Sequence, residues 1–231
     1  MRVVIIPGFW LNAHSWEPIV EALALAGHDV RALDLPGMGS LEESRRDVTL
    51  ADHVAAVVSE VDRDEEAVVL VGHSAGGALA HAAADARPEL VRRVIYVDSM
   101  PLGHGECVNA ELPRVEGEIP LPDWSLFAPE NLVDMSEELR RDFRRVAIPV
   151  PGRVGSDLQE LHDPRRFDVP VTIITCEFRS EQLRTWIAEG RGWMDELARV
   201  KDVTFVDLPT GHWPQFTQPA RLTEAILDAL D

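Results

Sequence analysis

The sequence predicts an α/β fold built on a mostly parallel, doubly wound sheet with helices on both faces. Six short apolar runs recur, at residues 3–6, 30–33, 67–71, 94–97, 171–175 and 203–206. They are β-branched and apolar on both alternating faces, as a strand covered on both sides must be. Between them lie patterns of helical period, carried by Trp16, Ile19, Val20 and Leu23, by Val54, Val57, Val58 and Val61, and by Leu222, Ile226, Leu227 and Leu230. Strand alternating with helix implies a parallel sheet, whose ligands bind beyond the carboxyl ends of the strands.

Taken in order, the first run ends in Pro7-Gly8-Phe9-Trp10, and the second in Asp34-Leu35-Pro36-Gly37-Met38-Gly39. The third runs into a glycine-flanked serine and an Ala-rich helical stretch at 77–86, and the fourth is closed by Asp98. Residues 101–167 then break the alternation. They are rich in Pro, Glu and Arg, show no clear strand, and carry one amphipathic helix signal at 136–147. In that helix Leu139, Phe143 and Val146 share a face, and Arg140, Arg141, Arg144 and Arg145 form what reads as a solvated cationic remainder. The expectation is one domain over 1–231, with a cap-like insertion at about 101–167.

Composition bounds the function. With 45% apolar and 27% charged residues in 231, the chain can bury a core. Lys plus Arg number 22 against 40 Asp plus Glu, a formal charge of −18 that repels phosphate backbones and anionic lipid. Nucleic acid and membrane are therefore not expected partners, and a small-molecule substrate is. Two cysteines, Cys107 and Cys176, do not make a disulfide framework and fit a reducing cytoplasm. The apolar start at 3–6 is too short for a signal or a membrane segment. Neither a monomer nor a homodimer is favoured.

Gly72-His73-Ser74-Ala75-Gly76 follows a strand and opens a helix. A turn that tight leaves no room for side chains two residues either side of the serine, hence the glycines. The helix behind the serine offers unsatisfied N–H groups and a positive dipole end to a developing oxyanion. Ser74 is thus the candidate nucleophile. No cluster of His, Cys and carboxylate has metal-ligand spacing and no glycine loop is built for phosphate, so no metal or organic cofactor is expected.

Gly72–Gly76, the loop at 7–10, the turn at 34–39 and the late Gly211-His212 together resemble the α/β-hydrolase family, in the family's chain order and over essentially the whole chain. Within it the chain resembles the small esterases related to plant methyl esterases and hydroxynitrile lyases, Trp16 standing soon after the first loop as theirs does. The resemblance implies His212 as general base, an oxyanion hole from the backbone N–H groups of Phe9 and Ala75, and an acyl-enzyme on Ser74. Pro7 stands where relatives usually have His, so any side-chain role of that histidine is absent. Trp10, His73, Trp124 and Phe127 are candidate substrate-binding residues, with core packing the plainer reading of the aromatics.

The acid departs from the family pattern. After the strand at 171–175 the family usually places an Asp in a Gly-x-x-Asp-like turn, whereas this chain reads Cys176-Glu177-Phe178-Arg179. Asp98, in a seat some lipases of the fold use, is the preferred substitute, and Glu177 the alternative. The implied function is a serine hydrolase of the carboxylic-ester class, cutting a small ester, thioester or lactone. A cyanohydrin lyase using the same Ser/His pair and a non-catalytic binding protein are the rivals. The lyase calls for a cation near the leaving cyanide, and the sequence identifies none.

Overall fold

The computed structural model describes residues 1–230. In chain order the elements are β1 (Arg2–Ile6), α1 (Glu17–Leu25), β2 (Asp29–Ala32), α2 (Leu50–Val61), β3 (Val68–His73), α3 (Ala75–Ala86) and β4 (Val91–Val97). They continue with β5 (Glu118–Ile119), α4 (Glu137–Val146), β6 (Val150–Pro151), α5 (Gly152–Ser156), β7 (Val171–Thr175), α6 (Ser180–Ala188), α7 (Asp195–Ala198), β8 (Val203–Asp207), α8 (Pro214–Thr217) and α9 (Pro219–Leu230). Each predicted strand is present, displaced by no more than three residues at either end.

The main sheet has strand order β2-β1-β3-β4-β7-β8 and every pairing in it is parallel. The chain leaves β1 toward one edge to make β2 and returns on the other side to make β3. The order therefore reverses between β1 and β3, and the crevice outside their carboxyl ends is where a fold of this kind binds its ligand. The loop of Gly8 and Phe9 and the residue Ser74 both sit there.

Strand alternation splits the core into two layers. Val4, Ile6, Leu70, Val94, Tyr96 and Ile173 pack with Leu50 and Val57 of α2, Leu79 and Ala83 of α3 and Leu183 of α6. Val3, Ile5, Val71, Ile95 and Ile174 pack on the opposite face with Ile19 and Leu23 of α1 and Leu222 and Ile226 of α9. Local signals set the helix starts. Thr49 accepts from Asp52 N at 3.0 Å while the Asp52 carboxylate accepts from Thr49 N at 2.8 Å, a reciprocal cap on α2. Ser136 likewise accepts from Leu139 N at the head of α4.

The segment 101–167 is not strand-free: β5 and β6 form a two-stranded antiparallel ribbon, too short for residue alternation to reveal. Its α4 buries Phe143, but Val146 is half exposed, so the apolar face is narrower than its spacing suggests. Arg141 and Arg145 face water, but the other two arginines do more. Arg144 donates to the carbonyls of Leu121 and Pro122 at 3.2 and 2.7 Å and lies over the Trp124 ring, and Arg140 donates to Met135 O. The segment is tied to the first loop by Trp10 Nε1 donating to Ile119 O (3.1 Å) and by Ile148 N donating to Trp10 O (3.0 Å).

Candidate active site

Ser74 stands between β3 and α3 with φ 51° and ψ −123°, a conformation that costs a non-glycine residue energy and survives only where the surroundings enforce it. The enforcement comes from close packing. A Cβ on Gly72 would lie 2.6 Å from Gly76 O, and one on Gly76 would lie 2.2 Å from Ile6 O, so only glycine allows strand, turn and helix to approach so closely. Ser99 Oγ donates to Ser74 O at 2.6 Å and pins the turn from β4. Trp10 and Asp98 also hold positive φ, at 65° and 43°, so strained backbone gathers at the ends of β1, β3 and β4.

His212 lies in the loop between β8 and α8, with Nε2 2.8 Å from Ser74 Oγ. Its Nδ1 lies 2.6 Å from Asp98 Oδ2 and 3.0 Å from Glu177 Oε1. Two carboxylates facing Nδ1 require it to carry a proton, so in the neutral ring Nε2 has the free lone pair and accepts from the serine hydroxyl. The preferred and the alternative acid thus both reach the same nitrogen, one from the end of β4 and the other from the end of β7. Asp98 Oδ1 accepts from the backbone N–H groups of Cys176 and Glu177 at 3.0 and 3.2 Å, so the loop after β7 also holds the carboxylate of β4 in place.

The electrostatics follow from this crowding. Burial opposes a charged imidazole, but the hydrogen bonds to Asp98 and Glu177 and the attraction of both carboxylates win, raising the His212 pKa from 6.5 to about 10. Burial would raise Asp98 as well, yet the bonds from His212 and the two backbone N–H groups hold it below the usual carboxylate range. Burial, with the carboxylates of Asp98 and Glu177 nearby, pushes the Cys176 thiol up.

A cleft of about 560 Å³ opens over the serine, walled by Phe9, Trp10, Ala75, Val108, Leu112 and Phe127, with Asn109, Glu111 and Asn131 as polar groups. A smaller cavity of about 10 Å³ lies behind the shared wall of Phe9, Ala75 and Val108. Phe127 and Trp10 line the cleft. Trp124 and His73 do not line it. Trp124 packs at 5.4–5.8 Å against Phe127, Phe143 and Trp213, joining the segment 101–167 to the loop of His212. Alternation along β3 puts His73 on the face of Val69 and Val71, where it is fully buried against Trp16. Burial, aided by repulsion from His212, lowers its pKa to about 3, and its Nε2–H donates to His212 O at 2.7 Å. It supports the loop of His212 from below, away from the cleft.

Asn131 and Ser99 escape sequence reasoning. A serine after a strand and an asparagine in an irregular loop carry no motif, and only the packing of distant segments gives them work.

Asp98, Glu177 and His212 are the one trio of donor atoms among the described residues close enough to share a metal ion, within 4.8 Å of one another. The 2.6 Å separation of Nδ1 and Oδ2 is a hydrogen-bond length, shorter than the roughly 3.3 Å between ligands on a tetrahedral ion with bonds of about 2.0–2.1 Å. The trio is arranged around a proton.

Among known proteins, the chain is 32% identical to a carbendazim hydrolyzing esterase from Nocardioides sp. (strain SG-4G) over 113 residues, 48% of this chain and 47% of that protein. That match spans about half of the relative's length. Methylesterase 7 from Arabidopsis thaliana is 27% identical over 259 aligned residues, covering 100% of this chain and 96% of that one. Among solved structures, an extracellular alpha/beta-hydrolase from a Paenibacillus species superposes with a TM-score of 0.77 at 19% identity, over 99% of both chains, and so shares the fold. Among the described residues no helix is long and apolar enough to cross a membrane. The family model described as the alpha/beta hydrolase family matches residues 3–225, which with the sheet order and the serine turn settles the placement: this chain belongs to the alpha/beta hydrolase family.

Proposed function

We propose that the protein is a serine esterase acting on a small carboxylic ester, with Ser74 as nucleophile, His212 as general base and acid, and Asp98 as the carboxylate that orients it. The observation carrying this is the continuous relay from Ser74 Oγ to His212 Nε2 (2.8 Å) and from Nδ1 to Asp98 Oδ2 (2.6 Å), opening on a cleft. The curated relatives are esterases by name, which supports the same class.

In the first step Oγ gives its proton to Nε2 as it bonds to the ester carbonyl carbon, and the carbonyl oxygen takes the negative charge. The backbone N–H groups of Phe9 and Ala75 are the donors for that oxyanion. Ala75 opens α3, and the first N–H groups of a helix have no partner within it. Collapse breaks the bond to the alkoxy oxygen, which leaves with the proton from Nε2. Water then attacks the acyl-enzyme as it loses a proton to Nε2, and the acyl–Oγ bond breaks with Oγ taking that proton back, which frees Ser74 and releases the acid.

We read the segment 101–167 as a cap whose Phe127 forms part of the substrate wall. The inner cavity holds no more than about one water, so the substrate's bulk occupies the outer cleft. No Lys or Arg lines that cleft, which speaks for the hydrolase over the cyanohydrin lyase. The unpaired thiols of Cys107 and Cys176 support a cytoplasmic setting.

A fluorophosphonate probe tests the reading. It is expected to attach covalently to Ser74, and Ser74→Ala is expected to lose roughly 10⁴–10⁶-fold in kcat against p-nitrophenyl acetate. Intact mass unchanged after prolonged exposure, with the parent hydrolysing p-nitrophenyl acetate no faster than buffer, would leave a binding protein as the better description.

A further inference from the structure

A histidine base needs one carboxylate, and this one has two. Nδ1–H can point at only one acceptor at a time, yet Asp98 Oδ2 and Glu177 Oε1 lie 2.6 and 3.0 Å away, brought there by different strands. Glu177 is held in turn. Asn131 Nδ2 donates to the same Oε1 at 2.6 Å, and Asn131 Oδ1 accepts from Ala128 N at 2.9 Å. A backbone N–H can only donate, so the amide has one possible orientation, with its NH₂ turned to Glu177. The backbone of the same residue accepts from His212 N at 2.9 Å, and Gly211 N donates to Val133 O at 3.2 Å. Asn131 therefore touches the base and its second carboxylate, and it also lines the cleft.

We propose that Glu177 is a positioning residue that strengthens His212 as a base, and that Asn131 of the segment 101–167 holds it there, so that cap and sheet together set the pH at which the site works. This rests on the esterase reading above. Among the groups facing the imidazole, Asp98 comes from β4, Glu177 and the buried thiol of Cys176 from the end of β7, and neutral His73 from β3. The segment 101–167 contributes Asn131, and farther out in the cleft Glu111. None is a fixed cation. The imidazolium formed during acyl transfer is thus the only positive charge beside two carboxylates, and it is stabilised accordingly. The cost falls on the free enzyme, where the same stabilisation keeps the base protonated to higher pH, as the raised His212 pKa indicates.

The test is the pH dependence of kcat/KM with p-nitrophenyl acetate for the parent, Glu177→Gln and Asn131→Ala, beside imidazole NMR titration of His212 in the inactive Ser74→Ala background. Glu177→Gln is expected to move the rising limb and the NMR pKa down by one pH unit or more, a tenfold loss of proton affinity. Its alkaline plateau should fall by less than tenfold, against roughly 10⁴ for Asp98→Asn. Asn131→Ala is expected to shift the limb in the same direction by less. An unmoved limb and NMR pKa in Glu177→Gln overturn the proposal, as does a plateau that collapses as far as in Asp98→Asn, which would make Glu177 the orienting acid. A shift with Glu177→Gln alone removes Asn131 from it. The NMR arm needs no turnover, so a failed esterase reading and a failed role for Glu177 are told apart.

Discussion

Two places in this molecule set an imidazole between a hydroxyl and a carboxylate, and the structure gives them opposite surroundings. At the end of the sheet the chain of contacts is Ser74, His212, Asp98. Beneath α3 it is Tyr96 Oη to His81 Nδ1 at 3.0 Å and His81 Nε2 to Glu196 Oε1 at 2.9 Å. Group for group the relays match, with the two ring nitrogens exchanged. The second is sealed, with Tyr96 and His81 at 0% and 2% exposure, and burial together with Glu196 raises the Tyr96 pKa so that the phenol stays protonated. It also holds a fixed cation. Arg166 donates to Glu196 Oε1 at 2.7 Å and to Asp85 Oδ1 at 3.1 Å, and Asp85 accepts the N–H groups of His162 and Asp163 at 2.9 and 2.8 Å. A hydroxyl–imidazole–carboxylate relay is thus not in itself a reactive site. The one proposed as the active site adds a strained serine, a cleft, and two carboxylates whose only cationic partner can lose its proton.

Arg166→Met breaks the comparison hardest. Removing the fixed cation leaves Glu196 and Asp85 buried without it, which is expected to cost about 3–5 kcal/mol in urea unfolding. Turnover per folded molecule should stay within about twofold, since the network lies away from Ser74. A loss of activity larger than the loss of folded protein would join the two clusters functionally.

Tyr96→Phe sharpens the same contrast at smaller cost. It removes the donor to His81 Nδ1 and leaves a buried acceptor unpaired, expected to destabilise by about 1–3 kcal/mol with activity kept. Ser74→Ala should do the reverse, abolishing turnover while leaving the unfolding midpoint almost unmoved.

The two clusters were unequally legible in the sequence. Ser74 announces itself because a nucleophile turn needs glycine at 72 and 76, and backbone geometry is what short motifs encode. His212 follows from its place after the last strand. Asp98 and Glu177 could be nominated from their places at strand ends, but that both reach one nitrogen depends on how far two loops project, which no local pattern records. The network of His81, Glu196, Arg166 and Asp85 was invisible, since its members are 115 and 81 residues apart along the chain and its polar side chains look like surface residues until packing buries them. The same holds for Trp124, where composition gives an aromatic in a cap and only the ring contacts with Phe143 and Trp213 show that it fastens rather than lines.

The smallest expected effect separates the clusters by pH. Burial raises the pKa of Glu196, but the bonds from His81 and Arg166 outweigh it and bring it from 4.5 down to about 2. A depressed carboxylate contributes stability that is complete above 4.5 and is lost as pH falls toward 2. His212 is shifted the other way, from 6.5 to about 10, so its contribution is complete below 6.5 and is lost as pH rises through 10. Thermal melts from pH 2 to pH 10.5 are therefore expected to decline at both ends for different reasons. Mutation should tell the two declines apart: Asp98→Asn should flatten the alkaline side by a few degrees, roughly 2–4 °C for each kcal/mol in a chain of this size, and also soften the acid side, where its own depressed carboxylate contributes. Arg166→Met should lower the whole curve and flatten its acid side. If Asp98→Asn altered the acid decline and spared the alkaline one, the assignment of His212 as the group charged by its two carboxylates would be wrong, and the distinction between a cluster with a fixed cation and one whose cation titrates would go with it.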